Sequence, residues 1–346
     1  MSRIVLGVGT SHSPLLAIDP ALWAERGKDD MRREKVWLAD GRMISYAQLH
    51  GEVGDRYIDD ATPDRFAEQS RLAQAQLDRL SGEILGARPD LVVVIGDDQE
   101  ELFGLTHTPA FAVYVGDEIV THPKGEVSKT LPEWYRAANV GYMMDTVHRH
   151  PAAAGPAVAV IESLIRDGVD VSVASQVHKP EEHGFGHAYG FVIDRLLGRT
   201  AIPVLALMLN TYFPPNVPTP SRCWAIGEAL TKALEGLPGD LRICVIASGG
   251  LSHFATDADL DRGVLDALLA QDGAMLGNIP PHALRSGNSE ILNWIMAGGA
   301  LGGLDPEAPT YIPVYRTPAG TGIGLGFMIW RPSTSTEPSS GPRHDH

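Results

Sequence analysis

C-V-I-A-S-G-G-L-S-H-F runs from Cys244 to Phe254. A short β-branched run, Val245-Ile246, breaks at Ser248-Gly249-Gly250 and then presents Ser252 and His253. So short an apolar run, closed by glycines, suits a buried strand better than a helix. Two glycines after a strand allow a turn through positive φ and a close approach of the backbone to a ligand. Ligands of open α/β sheets sit at the carboxyl ends of the strands. His253 is therefore placed where an imidazole can serve as acid or base. A plain turn carrying a surface histidine has the same sequence, and the stretch by itself does not choose.

Outward from it the same grammar repeats. Residues 4–9, 91–95, 110–115, 169–174, 202–209 and 241–247 read as strands, with closing strands at 310–314 and 326–330. Between them helical patterns cover 134–148, 153–167, 221–237, 257–271 and 289–299. The clearest helix starts at Pro63, with Thr62 as N-cap, a stripe of Phe66, Leu72, Leu77, Leu80 and Ile84, and Gly86 as its stop. Strands alternating with helices predict an α/β chain with a mostly parallel central sheet flanked by helices. Residues 1–332 read as a single domain, with a polar, aromatic-bearing insertion at 18–62, and residues 333–346 as a disordered tail. The polar stretch 116–132 reads as a loop without an assigned role.

Composition narrows the class. The 346 residues carry 28 Lys and Arg against 43 Asp and Glu, a net charge of −15 without a basic stripe, which argues against nucleic acid. Two cysteines, Cys223 and Cys244, are too few for a disulfide framework or a cysteine-rich zinc site and read as buried thiols. Neither a leader peptide nor an apolar run of membrane length is apparent, so a cytoplasmic protein without a membrane partner is expected.

Polar residues gather at the predicted strand ends. His12 follows the first strand in T-S-H-S-P, Asp97-Asp98-Gln99 follows the second, His253 follows the opening stretch, and His183 lies in a loop after a further strand. Glu290 opens the helix S-E-I-L-N-W-I-M-A-G-G-A-L and shares a face with Trp294 at spacing i, i+4. A carboxylate on a core-facing helix side needs a partner, and a metal ion is one such partner. Two imidazoles and a carboxylate on one face of a metal are the ligand set of non-heme Fe(II) oxygenases. A helix-start Glu and surface histidines are the plain alternatives.

In order and spacing these segments resemble the class III extradiol ring-cleavage dioxygenases, in particular the catalytic subunit of protocatechuate 4,5-dioxygenase. The resemblance rests on T-S-H-S-P, E-E-H-G at 181–184, N-T-Y-F-P-P, S-R-C-W-A-I-G-E-A-L, S-G-G-L-S-H, S-E-I-L-N-W-I-M-A-G-G-A-L and Y-R-T-P-A-G-T-G-I-G-L-G-F-M-I-W. It implies metal ligation by His12 and Glu290, acid–base work by His253, and an active-site role for His183. Arg316 and Thr321 become candidates for binding a substrate carboxylate. The family's second metal-binding His closes an N-D-H element, where this chain has Asp97-Asp98-Gln99. Gln99 offers an amide oxygen, a weaker donor toward Fe(II). Either Gln99 ligates, or Asp97, Asp98, His50 or His107 fills the slot, or the metal is lost.

The activity implied is Fe(II)-dependent ring opening of a catechol-like small aromatic substrate with O2, in an enzyme expected to form a homodimer. A metal-dependent hydrolase or lyase that does not use O2 is the alternative that Gln99 raises, and a metal-free binding protein is a third. The insertion at 18–62 is expected to lid the site, with Trp23, Trp37 or Tyr46 near the substrate.

Overall fold

The computed structural model describes residues 1–124 and 129–333; the tail expected at 333–346 lies outside the described residues from 334 onward. One sheet of ten strands organises the chain. Its members are Arg3–Thr10 (β1), Leu91–Asp97 (β2), Phe111–Tyr114 (β3), Ser172–Ala174 (β4), Val204–Leu209 (β5), Arg242–Ser248 (β6), His253–Ala255 (β7), Asp305–Pro306 (β8), Thr310–Tyr315 (β9) and Thr321–Arg331 (β10). They lie in the order β7-β10-β1-β6-β2-β5-β3-β4, with β8 and β9 also paired to β10. The central strands β1, β6, β2 and β5 run parallel. Both margins bring antiparallel pairs, β3 against β5 and β10 against β1, β7, β8 and β9. The sheet is thus mixed around a parallel centre.

Why the centre is apolar throughout is explained by its two covers. Every residue of β2 is buried, as expected of a strand covered on both faces. Its side chains alternate. Val93 and Ile95 join one core with Leu205, Leu207, Val245 and Trp294, while Val92 and Val94 join the other with Leu77, Leu80, Ile84 and Ile246.

Five helices bear on the site and its supports: Trp23–Asp30 (α1), Pro63–Ala87 (α2), His187–Phe191 (α3), Pro220–Glu235 (α4) and Ile291–Ala300 (α5). Helix α2 begins as its sequence predicts, Thr62 Oγ1 accepting the Arg65 N–H. Its buried stripe is Phe66, Ala73, Leu77, Leu80 and Ile84. Leu72 is 40% exposed, because seven residues on from Phe66, two full turns, falls on Ala73. The helix also runs one residue past Gly86 and is stopped by Arg88 at φ +46°. The helix expected at 134–148 is confined to Glu133–Gly141. Tyr142 leaves it to donate its hydroxyl to the carbonyl of His12 at 2.7 Å, and Arg149–Pro151 is extended and paired with Glu118–Val120.

The segment 18–62 packs into this framework. Trp23 is fully buried against Phe66, ring centroids 5.7 Å apart. Asp30, also fully buried, takes hydrogen bonds from Arg26, Arg33 and Arg316. Among the described residues no helix is long and apolar enough to cross a membrane.

Candidate metal centre

Parallel strands end on one edge, and four of them deliver the site. Thr10 of β1 pairs with Ser248 of β6, Ala247 with Ile95 of β2, and Asp97 with Leu209 of β5. At or just past those ends stand His12, Asp97 and Gln99, Tyr212, and the Gly249-Gly250 turn. Neither of these glycines has positive φ; what they supply is close approach. A Cβ on Gly250 would lie 3.0 Å from Glu290 Oε2 and 2.8 Å from His253 Cε1. The bare backbone lets the Gly250 N–H donate to Glu290 Oε2 at 2.6 Å.

His12, Asp97, His187 and Glu290 each offer a ligand atom, all within 4.8 Å of one another. The tautomer of His12 is set by its partners. Ser248 has one hydroxyl hydrogen and gives it to the Ala188 carbonyl at 2.7 Å, so at 3.0 Å it accepts from His12 Nδ1–H. His12 Nε2 is left with its lone pair, buried and without a hydrogen-bond partner, 2.9 Å from Glu290 Oε2 but not aligned with it. His187 is held likewise, its Nδ1–H donating to Glu101 at 2.7 Å and its Nε2 turned toward the cluster. A carboxylate behind a ligating imidazole is a recurrent arrangement at metal sites. Gly186 makes room for it, since a Cβ there would fall 1.9 Å from Glu101 Cδ.

The electrostatics call for a cation. Burial first, then the Glu290 charge, pushes the Asp97 carboxyl up. Burial acts on Glu290 in the same sense, but His253 and His12 outweigh it and hold Glu290 well below the usual range. The difference is one of distance, since Glu290 meets imidazoles at 2.9 and 3.3 Å and Asp97 only at 3.9 Å. Burial also opposes the charge on His187, yet Glu101 and its neighbours raise it to about 10, and Glu101 itself is held down at about 2. Ligand binding to a metal replaces such protons. An orphaned imidazole nitrogen, a second one turned inward and two buried carboxylates fit a divalent ion.

The cavity beside the cluster has a volume of about 410 Å³. His253 lines it, Nδ1–H donating to the Leu251 carbonyl at 2.8 Å and Nε2 lying 3.3 Å from Glu290 Oε1. Trp134, Tyr135, Tyr142, Tyr212 and Phe254 give flat apolar walls, and Arg26, Arg33, Lys124 and Arg316 give positive charge.

Of the residues expected from sequence, His12, Gln99, His253 and Glu290 meet at this cavity and Arg316 lines it. Other expected residues lie outside the cavity. His183 is exposed and absent from the lining; the histidine its segment brings in is His187, at the start of α3, where the backbone has turned inward. Thr321 is buried outside the cavity, its hydroxyl paired with Thr317 Oγ1 at 2.8 Å to close a turn. Trp23, Trp37 and Tyr46 do not line the cavity either; the insertion contributes Arg26 and Arg33 instead. Among the alternatives for the slot, His50 pairs with Asp55, His107 is exposed and Asp98 caps the Leu102 and Phe103 N–H groups, leaving Asp97. Glu101, Ser248 and Lys124 carry no local sequence signal that marks them for the site. The Gly-His pair at 186–187, directly before an apolar run, is the one local signal for His187.

Similarity to known proteins agrees with this geometry. Residues 67–326 match the family described as the catalytic LigB subunit of aromatic ring-opening dioxygenase. Gallate dioxygenase of Pseudomonas putida is 28% identical over 198 residues, 54% of this chain and 55% of that protein. A 2,3-dihydroxyphenylpropionate/2,3-dihydroxicinnamic acid 1,2-dioxygenase of Comamonas testosteroni is 28% identical over 152 residues, 42% of this chain and 43% of that one. Its namesake in Mycobacterium ulcerans is 39% identical over 87 residues, 25% and 26% of the two chains. The matches thus span about half the length of these relatives or less. His12 lies before the family match, yet β1 lies in register with β6 and carries it to the same cluster. With the family match covering well over half of its length and its metal-binding cluster at the strand ends, the chain belongs to the class III, LigB-type extradiol ring-cleavage dioxygenases.

Proposed function

We propose that the chain is an Fe(II)-dependent dioxygenase that opens a catechol-type ring beside, rather than between, its two hydroxyl groups, and that its substrate carries an anionic substituent. The observation carrying this reading is His253. A histidine with its Nδ1–H committed to a carbonyl and its Nε2 facing the cation cluster is an acid–base group at hand for a substrate hydroxyl. When bound, the metal ion supplies Lewis acidity that lowers the pKa of the substrate hydroxyls and a redox partner for O2. The chain does the rest. His253 takes the hydroxyl proton and returns it to the product, the aromatic walls hold the ring flat, and buried Tyr142 fixes the backbone of His12 through its hydroxyl. The lining joins the carboxylates and imidazoles of the cluster to Arg26, Arg33 and Arg316, with Asp30 offsetting one of these charges. A substrate with adjacent hydroxyls for the cation and a carboxylate for a guanidinium matches that set of groups. The relatives' names, gallate and dihydroxyphenylpropionate, fit this class.

The test is O2 uptake by anaerobically purified, Fe(II)-loaded protein on catechols with and without a carboxylate. Uptake with ring-opened product, faster with the carboxylated members, supports the reading. Turnover with zinc and without O2 uptake would replace it by a hydrolase or lyase on this scaffold, the reading that Gln99 in the place of a histidine favours.

A further inference from the structure

We propose that Gln99 is a clamp and not a ligand: its amide nitrogen ties Asp97 to Glu290, so that the cation is held by two carboxylates and two imidazoles. This rests on the cluster being a cation site and not on which reaction is run there.

The orientation of the amide carries the argument. Gln99 Nε2 lies 2.9 Å from Asp97 Oδ2 and 3.1 Å from Glu290 Oε1. An amide nitrogen has two hydrogens, and two carboxylate oxygens take them. Turned the other way, the amide would set its carbonyl oxygen against two carboxyl oxygens, acceptor against acceptor. The carbonyl therefore faces away from the cluster and offers a cation no lone pair. A third neighbour, His187 Nε2, is 3.4 Å off, farther than either carboxylate oxygen.

The other partners of the two acids agree. Asp97 Oδ1 accepts from Asn293 Nδ2 at 3.1 Å, and Glu290 Oε2 accepts from the Gly250 N–H at 2.6 Å. All three clamps, Gln99, Asn293 and Gly250, are neutral donors, and each oxygen keeps a second lone pair. Among the described residues the ion pairs of Asp97 and Glu290 are with histidines alone. Asp97 stands where the N-D-H element has Asn and Gln99 where it has His, so the chain exchanges an imidazole for a carboxylate and moves the second imidazole to His187. Such a set brings two negative charges to a dication, where the facial triad brings one, and more oxygen favours harder ions.

The test uses the full chain stripped with a chelator, titrated with Mn2+ for affinity and with Co2+ for its visible absorption, which reports the ligand set. Asp97→Asn is expected to change the Co2+ spectrum and to weaken Mn2+ by at least about tenfold, while Gln99→Leu keeps the spectrum and weakens Mn2+ less than Asp97→Asn does. Gln99→Met, without donor or acceptor oxygen, serves if the leucine variant does not fold. A changed spectrum in the Gln99 variants, an unchanged one in Asp97→Asn, or no binding of either ion by the wild type overturns the proposal. These readouts involve neither O2 nor a catechol, so they fail or succeed independently of the ring-opening test.

Discussion

His187 shows most directly how one residue is made useful by its neighbours. Glu101 takes its Nδ1–H, and Gly186 leaves space for that carboxylate. Glu101→Gln should therefore lower divalent-metal affinity by about 10- to 100-fold, read by titration calorimetry, although Glu101 is not itself a ligand. His183→Ala, at an exposed position, should leave both metal content and kcat as they are, and a loss of either would restore His183 to the site. At His253 the constraint is steric. A Cβ on Gly287 would lie 2.1 Å from the His253 ring, so Gly287→Ala must displace it. Misplacing a catalytic group by about 1 Å costs on the order of 100-fold in kcat. Metal content, measured alongside, should stay unchanged, because the ring a Gly287 Cβ meets is that of His253. Sequence showed His12, His253 and Glu290 because each sits in a segment with its own character, a strand end or a helix start. It gave an active-site role to His183 and did not single out His187 four residues on, since E-E-H-G-F-G-H holds two histidines and only the turn at Gly184–Gly186 decides which one faces inward.

Between elements, Asp30 of α1 is a buried tie that joins the insertion to Arg316, just past the end of β9. Burial works against its charge, but Arg316 and Arg26, with Arg33, hold its carboxyl below the usual range. A depressed folded value stabilises the fold above the unfolded carboxyl value of about 3.9, and that stabilisation is lost as pH falls through the folded value. Wild type should thus lose more stability between pH 5 and pH 3 than Asp30→Asn does. At neutral pH the same substitution leaves buried guanidinium groups unpaired and should cost about 3–5 kcal/mol, read by urea unfolding. A smaller loss would mean that the arginines find other partners. This tie also revises the picture of 18–62 as a detachable lid. With Trp23 buried against Phe66 and Asp30 against Arg316, excising the segment should abolish folding, seen as lost protease resistance, and not merely raise KM.

At the scale of the whole molecule the cation site is a long-range object. Its residues come from the loop after β1, from β2, from α3 and from the turn before α5, so a bound ion cross-links parts of the chain that an unfolded state holds far apart. Divalent metal should raise the melting temperature and a chelator should lower it, with about 2.7 kcal/mol gained when free metal reaches 100 times its Kd. A melting temperature indifferent to metal would argue against the cluster as a cation site. What the linear chain specified is what depends on local pattern: strands from β-branched runs, the Thr62-Pro63 helix start, glycines where a side chain would collide, and the segments that mark the family. What folding alone decided is which polar groups face one another. Whether His183 or His187 turns inward, whether Arg316 meets a substrate or Asp30, and whether Gln99 offers its oxygen or its nitrogen are set by partners far away in the chain, and hydrogen bonding and burial act on distance in space, not along the chain.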